Sequence, residues 1–131
     1  MEKKYIIECT EEQLSLIAEC VEDCHRFMAG QTELSNITIR LDNSREICNK
    51  LKEIKSLVTP KLNYNASYDW SGHSCPNDLQ RMFIAKTYPI YREILHFFAA
   101  ENVFNNVYNS PTLTCEEGGD PIKISIKEEK V

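Results

Sequence analysis

The sequence predicts a small α+β domain. In it, an antiparallel sheet of two to four strands (an N-terminal strand plus a C-terminal hairpin) packs against three or four helices. Apolar residues at steps of three or four predict helices in the N-terminal third and after Pro76. Ile122, Ile124 and Ile126 alternate with polar residues, which is typical of a strand with one wet face. The 131 residues suit a single domain, 1–131, and a composition of 42% hydrophobic and 27% charged residues favours a globular one.

The first strand is predicted from Lys4 to Cys9, because tyrosine and isoleucine at 5–7 favour extended backbone. Thr10 and Gln13 then have the spacing of a capping box, which predicts a helix start. Gly30 suits a left-handed position at the end of this helix. Its predicted buried stripe is Leu14, Ile17, Val21, Cys24 and Met28.

Two further helices are predicted before residue 60. Residues 32–42 carry apolar residues at helical spacing, although Ile37, Thr38 and Ile39 are all β-branched. Ser44 caps a helix that runs to about Val58 and ends before Pro60. Its predicted buried face is Ile47, Leu51, Ile54 and Val58.

The last helix is predicted from Asn77 to about Glu101, with Pro76 in its first turn and Ser74 or Cys75 as its cap. Pro89 lacks a backbone N–H, so we expect a kink or break there. The residues expected to face inward are Phe83, Ile84, Tyr88, Tyr91, Ile94, Leu95 and Phe98. Thr112 to Cys115 is expected to form a hairpin with the 122–126 strand across a turn at 116–121.

Two segments, 59–75 and 102–115, carry almost no charge and combine aromatic residues with several asparagines, and the first holds the only tryptophan. Recognition surfaces favour this mixture of rigid aromatic area and adaptable amides. The alternative is that Trp70 and one or two tyrosines fold inward as a lid on the helices. Arg81 and Arg92 follow on the last helix, and paired guanidinium groups beside aromatic rings suit a nucleotide-like ligand. The alternative for them is pairing with Asp78 or Glu93 at the surface.

The predicted ligand- or partner-binding residues are Tyr68, Trp70, His73, Arg81, Tyr88, Arg92, Asn106 and Tyr108. No catalytic residue and no cofactor is predicted, because the four glycines form neither a nucleophile elbow nor a phosphate-binding loop. The enzyme alternative is a metal- or thiol-dependent activity. It would use Cys20, Cys24, His25, His73 and Cys75, with Cys20, Cys24, His25 and Cys75 as the candidate metal ligands.

The net charge of −5 and the scattered lysines and arginines argue against nonspecific nucleic-acid binding. The N-terminus has no apolar signal region, and no apolar run reaches membrane-spanning length. We therefore expect a cytoplasmic protein whose six cysteines are reduced.

Several stretches carry a resemblance. They are 66–72 (Ala-Ser-Tyr-Asp-Trp-Ser-Gly), Cys75-Pro-Asn, Gln80-Arg81, 91–96 (Tyr-Arg-Glu-Ile-Leu-His), 20–30 (Cys-Val-Glu-Asp-Cys-His-Arg-Phe-Met-Ala-Gly) and 110–117 (Ser-Pro-Thr-Leu-Thr-Cys-Glu-Glu). Together they resemble a group of small uncharacterised proteins encoded by phages and mobile elements of gut bacteria. The resemblance implies a genetic setting and no catalytic residue.

Small acidic accessory proteins of phages often act by binding, including those that antagonise host defences. We therefore expect a non-enzymatic binding protein, a homo-oligomer in the cytoplasm of a bacterial host cell. Its expected partner is a small nucleotide-like ligand or a host protein. The third possibility, besides the metal or thiol enzyme, is a structural or assembly protein.

Overall fold

The computed structural model describes residues 2–59, 70–73, 75–101 and 108–127. This part of the chain is 55% helical. Its helices are α1 (Glu11–Met28), α2 (Ser35–Thr38), α3 (Ser44–Glu53), α4 (Lys55–Val58) and α5 (Asp78–Glu101). The two long helices, α1 and α5, pack against each other, and α2 also contacts α1. The fold is thus a pair of long helices accompanied by three short ones.

The start and end of α1 confirm the predicted helix. The Gln13 amide donates to the Thr10 hydroxyl over 3.1 Å, and the Thr10 amide donates to the Gln13 side chain over 2.9 Å. This is the capping box that the sequence predicts. Gly30 follows the helix with φ of +95°, a conformation that glycine adopts without the steric cost of a side chain.

The buried face of α1 differs from the predicted one. Ala18, Glu22, His25 and Ala29 are buried at steps of three and four, whereas Ile17 is 40% exposed and Cys24 is also exposed. The small alanine side chains let neighbouring backbone approach closely. Glu22 and His25 have hydrogen-bond partners, which offset the cost of burying them. The predicted stripe is therefore wrong for Ile17 and Cys24, while Leu14, Val21 and Met28 are half-buried.

The predicted helix over 32–42 is wrong except for the single turn of α2. Leu34, directly before that turn, has φ of +51°, which a longer helix could not contain. The Asp23 carboxylate of α1 accepts hydrogen bonds from the amides of Asn36 (3.2 Å) and Ile37 (2.9 Å). A side chain from another helix thus caps α2.

The predicted helix over 44–58 is divided at Ile54 into α3 and α4. The Thr32 hydroxyl donates to the Leu51 carbonyl, which an uninterrupted helix would pair with the amide of residue 55. This hydrogen bond from outside the helix competes with the helical hydrogen bond to the Leu51 carbonyl, at the point where the helix divides. Ile47, Leu51, Ile54 and Val58 are half-buried and none is fully buried.

Helix α5 confirms the predicted long helix but starts at a different cap. The Asn77 side chain accepts from the Gln80 amide over 3.0 Å, so Asn77 caps the helix and Cys75 does not. Ser74, the other predicted cap, lies outside the described residues. The helix continues through Pro89, so the chain does not break there. Of the residues predicted to face inward, Ile84, Tyr88, Tyr91 and Ile94 are buried, Leu95 and Phe98 are half-buried and Phe83 is 36% exposed.

The predicted sheet is wrong: no strand occurs in the parts of the chain that the structure describes. The segment from Lys4 to Cys9 is exposed, and neither it nor the 121–127 segment donates a backbone hydrogen bond to described residues. The hairpin of 112–115 with 122–126 is replaced by a tight turn closed by one bridge between Cys115 and Gly119. A period-two pattern indicates which face of a strand would be apolar, but a strand forms only where a partner supplies the hydrogen bonds.

Candidate functional site

Helix α5 presents an aromatic and cationic turn toward α1. Tyr88 and Arg92 lie one turn apart on this helix, and Tyr91 lies between them; all three are buried. His25 of α1 is fully buried, with its ring 5.9 Å from that of Tyr88 and 5.2 Å from that of Tyr91. The interface between the two long helices is therefore built around aromatic and ionisable side chains.

A side-chain hydrogen bond connects His25 to α5. Its Nδ1 lies 2.9 Å from the Thr87 hydroxyl oxygen. That hydroxyl has a single proton, and its shortest bond, at 2.7 Å, goes to the Phe83 carbonyl, which only accepts. Thr87 thus links the His25 ring to the backbone of α5. This contact fixes the ring plane of His25 beside Tyr88.

The Glu22 carboxylate interacts with hydrogen-bond donors from three parts of the chain. One carboxylate oxygen accepts from the Asn36 side chain over 2.7 Å. The other accepts from the Tyr108 hydroxyl over 3.3 Å and lies 3.4 Å from the Arg26 guanidinium. Burial raises the pKa of Tyr108, and the negative charge of Glu22 raises it further. Glu22 thus joins α1, α2 and the 108–110 segment.

Arg92 fastens the 108–110 segment to α5. One of its terminal nitrogens donates to the Ser110 carbonyl over 2.9 Å and to the Ser110 hydroxyl over 3.1 Å. Its guanidinium lies 5.1 Å from the centre of the Tyr108 ring, within the range of cation–π attraction. His96, one turn further along the helix, donates from Nδ1 to the Tyr108 carbonyl over 2.8 Å.

Trp70 reaches the same part of α5 from the other predicted recognition segment. Its half-buried ring lies 4.7 Å from the ring of Tyr88. Trp70 and Tyr108, which are far apart in the sequence, thus contact α5 on neighbouring turns. We call the group formed by Trp70, Tyr88, Arg92 and Tyr108 the aromatic–arginine site.

Two of the predicted site residues lie elsewhere. Arg81 pairs with Asp78 (2.8 Å) and with Glu117 (3.6 Å), and these carboxylates raise its pKa. The pairing with Asp78 is the one considered as its alternative from the sequence. His73 is exposed, and its backbone amide lies 3.4 Å from the Ser71 hydroxyl. Tyr68 and Asn106 lie outside the described residues.

The proposed metal or thiol residues are not gathered into one site. Cys20 and Cys24 are exposed on α1, whereas His25 is fully buried. Cys75 is 3% exposed and packs with Ala29 and Ile84. Within the described ranges no group of three or more histidine, cysteine, aspartate or glutamate side chains could hold a metal ion.

Several residues of this region were missed from the sequence, namely Glu22, Arg26, Thr87 and Ser110. A signal for Glu22 exists. Ala18, Glu22, His25 and Ala29 recur at helical spacing, and a glutamate and a histidine between two alanines indicate a close helix contact with a polar centre. No comparable signal marks Thr87 or Ser110, because their roles depend on contacts with distant residues.

No helix in the described part of the chain has the length and apolar character needed to cross a bilayer. Comparison of this chain with protein-family models, with curated proteins and with solved structures found no match.

Proposed function

We propose that this protein is a non-enzymatic binding protein that takes up a small nucleotide-like molecule at the aromatic–arginine site. The resemblance to phage and mobile-element proteins favours the cytoplasm of a bacterial host cell as its place of action. In that setting, binding a host signal or metabolite would antagonise a host process. The host-defence role is the expectation that follows from this setting.

The observation that carries the proposal is the convergence of Trp70 and Tyr108 on neighbouring turns of α5. Trp70 packs on Tyr88, and Tyr108 packs on Arg92, four residues further along the helix. Both segments that are rich in aromatic and amide side chains therefore lead to the same place. A recognition surface needs a rigid base, and the packed helices α1 and α5 provide one beneath Trp70 and Tyr108.

The chemistry of the site favours a ligand with both a flat ring and negative charge. The half-buried indole of Trp70 offers a stacking surface, and base–aromatic stacking contributes about 1–3 kcal/mol per base. The Arg26 side chain is 34% exposed and adds a guanidinium beside Glu22. Guanidinium groups bind phosphate through paired hydrogen bonds, and carboxylates accept from the exocyclic amines of bases.

The single tryptophan makes the proposal directly measurable, because Trp70 is the only indole of the chain. We expect its fluorescence to change when mono-, di- and cyclic nucleotides are titrated into the purified protein. At least one of them should also raise the melting temperature, because a ligand that binds only the folded state stabilises it. Native mass spectrometry of protein purified from a bacterial host identifies any small molecule that remains bound.

Variants connect the signal to the site. Trp70→Ala should weaken binding at least about tenfold, whereas Leu57→Ala, at a residue of α4 that is 78% exposed, is the matched control and should leave it unchanged. Circular dichroism shows whether each variant keeps its helices. The proposal fails if no nucleotide changes the fluorescence or the melting temperature. If a host protein co-purifies and Trp70→Ala releases it, the site binds a protein instead.

A further inference from the structure

The N-terminal arm, residues 2–9, carries apolar side chains that the protomer does not cover. Tyr5 is 83% exposed, Ile6 96% and Ile7 79%. The arm is extended where it meets α1, since Thr10 has φ of −76° and ψ of 165°. Three consecutive large apolar residues left in water mark a surface that gains free energy when a partner covers it.

An open cleft of about 560 Å³ lies along the first turns of α1. Its lining combines three glutamates, a serine and an arginine with the apolar side chains of a leucine and a phenylalanine. The residues that matter here are Glu11, Glu12, Leu16, Glu19, Arg40 and Phe98. Glu19 pairs with Arg40 over 2.6 Å, which leaves Glu11 and Glu12 as the acidic pair at the end of the cleft nearest the arm.

The arm and the cleft are complementary in charge and in polarity. In the arm, Lys3 and Lys4 come directly before the apolar residues. In the cleft, the acidic pair Glu11 and Glu12 lines the same space as the apolar side chains of Leu16 and Phe98. Opposite charges aligned in this way favour one register of a bound segment. An arm of this chain is therefore the occupant whose chemistry fits the cleft.

The arm that fits comes from a second copy. Tyr5 to Ile7 precede Glu11 by only a few residues, and the backbone of Thr10 between them is extended. Because all three side chains are exposed, the arm does not occupy the cleft of its own copy. An ion pair of 2.9 Å between Glu8 and Lys127 also connects the base of the arm to the C-terminal segment of the same chain. Reaching its own cleft would require the arm to reverse direction within three residues.

We propose that two copies of this chain associate by exchanging N-terminal arms, each arm occupying the acidic cleft of the other copy. A two-fold axis makes this exchange reciprocal, so each contact occurs twice. The apolar residues of the arm and of the cleft are then buried together. Lys3 and Lys4 of each copy face the Glu11 and Glu12 side chains of the other.

Sedimentation velocity of the full chain over a range of concentrations tests the exchange. We expect a reversible dimer that Ile6→Asp weakens by at least about tenfold, because this variant places a charge in an apolar contact. Ile6 is almost fully exposed in the protomer, so the variant should keep its helicity. Leu79→Asp, at an 86% exposed residue of α5, is the matched control and should leave the dimer intact.

A charge exchange identifies the two surfaces that meet. One variant combines Lys3→Glu with Lys4→Glu, and the other combines Glu11→Lys with Glu12→Lys. Each variant alone places like charges opposite each other, so its dimer should dissociate. An equal mixture should form heterodimers, since both arm–cleft contacts are then attractive. The proposal is overturned if the native chain stays monomeric, if Ile6→Asp leaves the dimer intact, or if the mixture does not associate.

Discussion

The backbone of Gly118 lies directly against the main-chain carbonyl of Ala85. A side-chain carbon at Gly118 would stand less than 3.0 Å from that oxygen. Pro89 has no N–H to donate to the Ala85 carbonyl, which is therefore the one carbonyl that the proline leaves without its usual helical donor. The turn from Cys115 to Gly119 thus packs on α5 at the position where the proline changes its hydrogen bonding.

Gly118→Ala should destabilise the protein by about 1–3 kcal/mol, because the added methyl group must displace helical backbone. Gly119→Ala is the matched control, since no atom of the described residues, its two chain neighbours apart, lies within 4 Å of the added carbon, and its φ of +73° is what opposes the change. That cost is about 1 kcal/mol. Chemical denaturation gives the unfolding free energy of both variants. If Gly118→Ala loses no more stability than Gly119→Ala, the close contact with Ala85 is contradicted.

Tyr108→Phe should lower the free energy of unfolding by about 1 kcal/mol, since Glu22 loses the hydroxyl that donates to it. Tyr5→Phe removes the same hydroxyl from a residue that is 83% exposed and should have little effect. Urea denaturation measures both. Equal effects of the two variants would show that the bond to Glu22 does not stabilise the fold.

The stability that Asp23 contributes should depend on pH in the opposite direction from that of an ordinary paired carboxylate. Burial raises the pKa of Asp23 above its usual 3.8, although the amides of Ile37 and Asn36 act to lower it. The folded state therefore binds the proton more tightly than the unfolded state does. The resulting stabilisation is complete below the unfolded pKa and is lost as the pH rises through the folded one.

The direction of this pH dependence can be tested with the unfolding free energies of the native chain and of Asp23→Asn. Both are measured from neutral pH down to about pH 4. The native chain should gain stability relative to the variant as the pH falls. Asp42→Asn, at an exposed carboxylate, is measured in parallel and its pH trend is subtracted. A relative loss of native stability in acid would show that the backbone hydrogen bonds outweigh burial at Asp23.

Cysteine alkylation should separate the thiols by burial. Cys9, Cys20 and Cys24 are exposed and should react in the folded protein, whereas Cys75 is 3% exposed and should react only after unfolding. Peptide mass spectrometry after brief treatment with iodoacetamide gives the extent at each position. Rapid labelling of Cys75 in the native state would favour the thiol-dependent alternative.

The local features of the two long helices could be predicted from the sequence. The capping box at Thr10, the left-handed Gly30 and the extent of α1 and α5 depend on residues within a few positions of one another. Trp70, Tyr88, Arg92 and Tyr108 were also predicted as site residues from their chemistry. Their contacts could not be, because a pairing such as that of Trp70 with Tyr88 depends on where α5 lies in space.

The sequence by itself determined where α1 and α5 form, because helix periodicity and capping are short-range effects. Only the tertiary structure decided that α1 buries Glu22 and His25 while Ile17 stays partly exposed, since the buried face depends on which partners can satisfy polar groups. The same holds for the segments that read as strands. Ile122, Ile124 and Ile126 have the pattern of a strand, but the described chain brings no partner strand to bond with them.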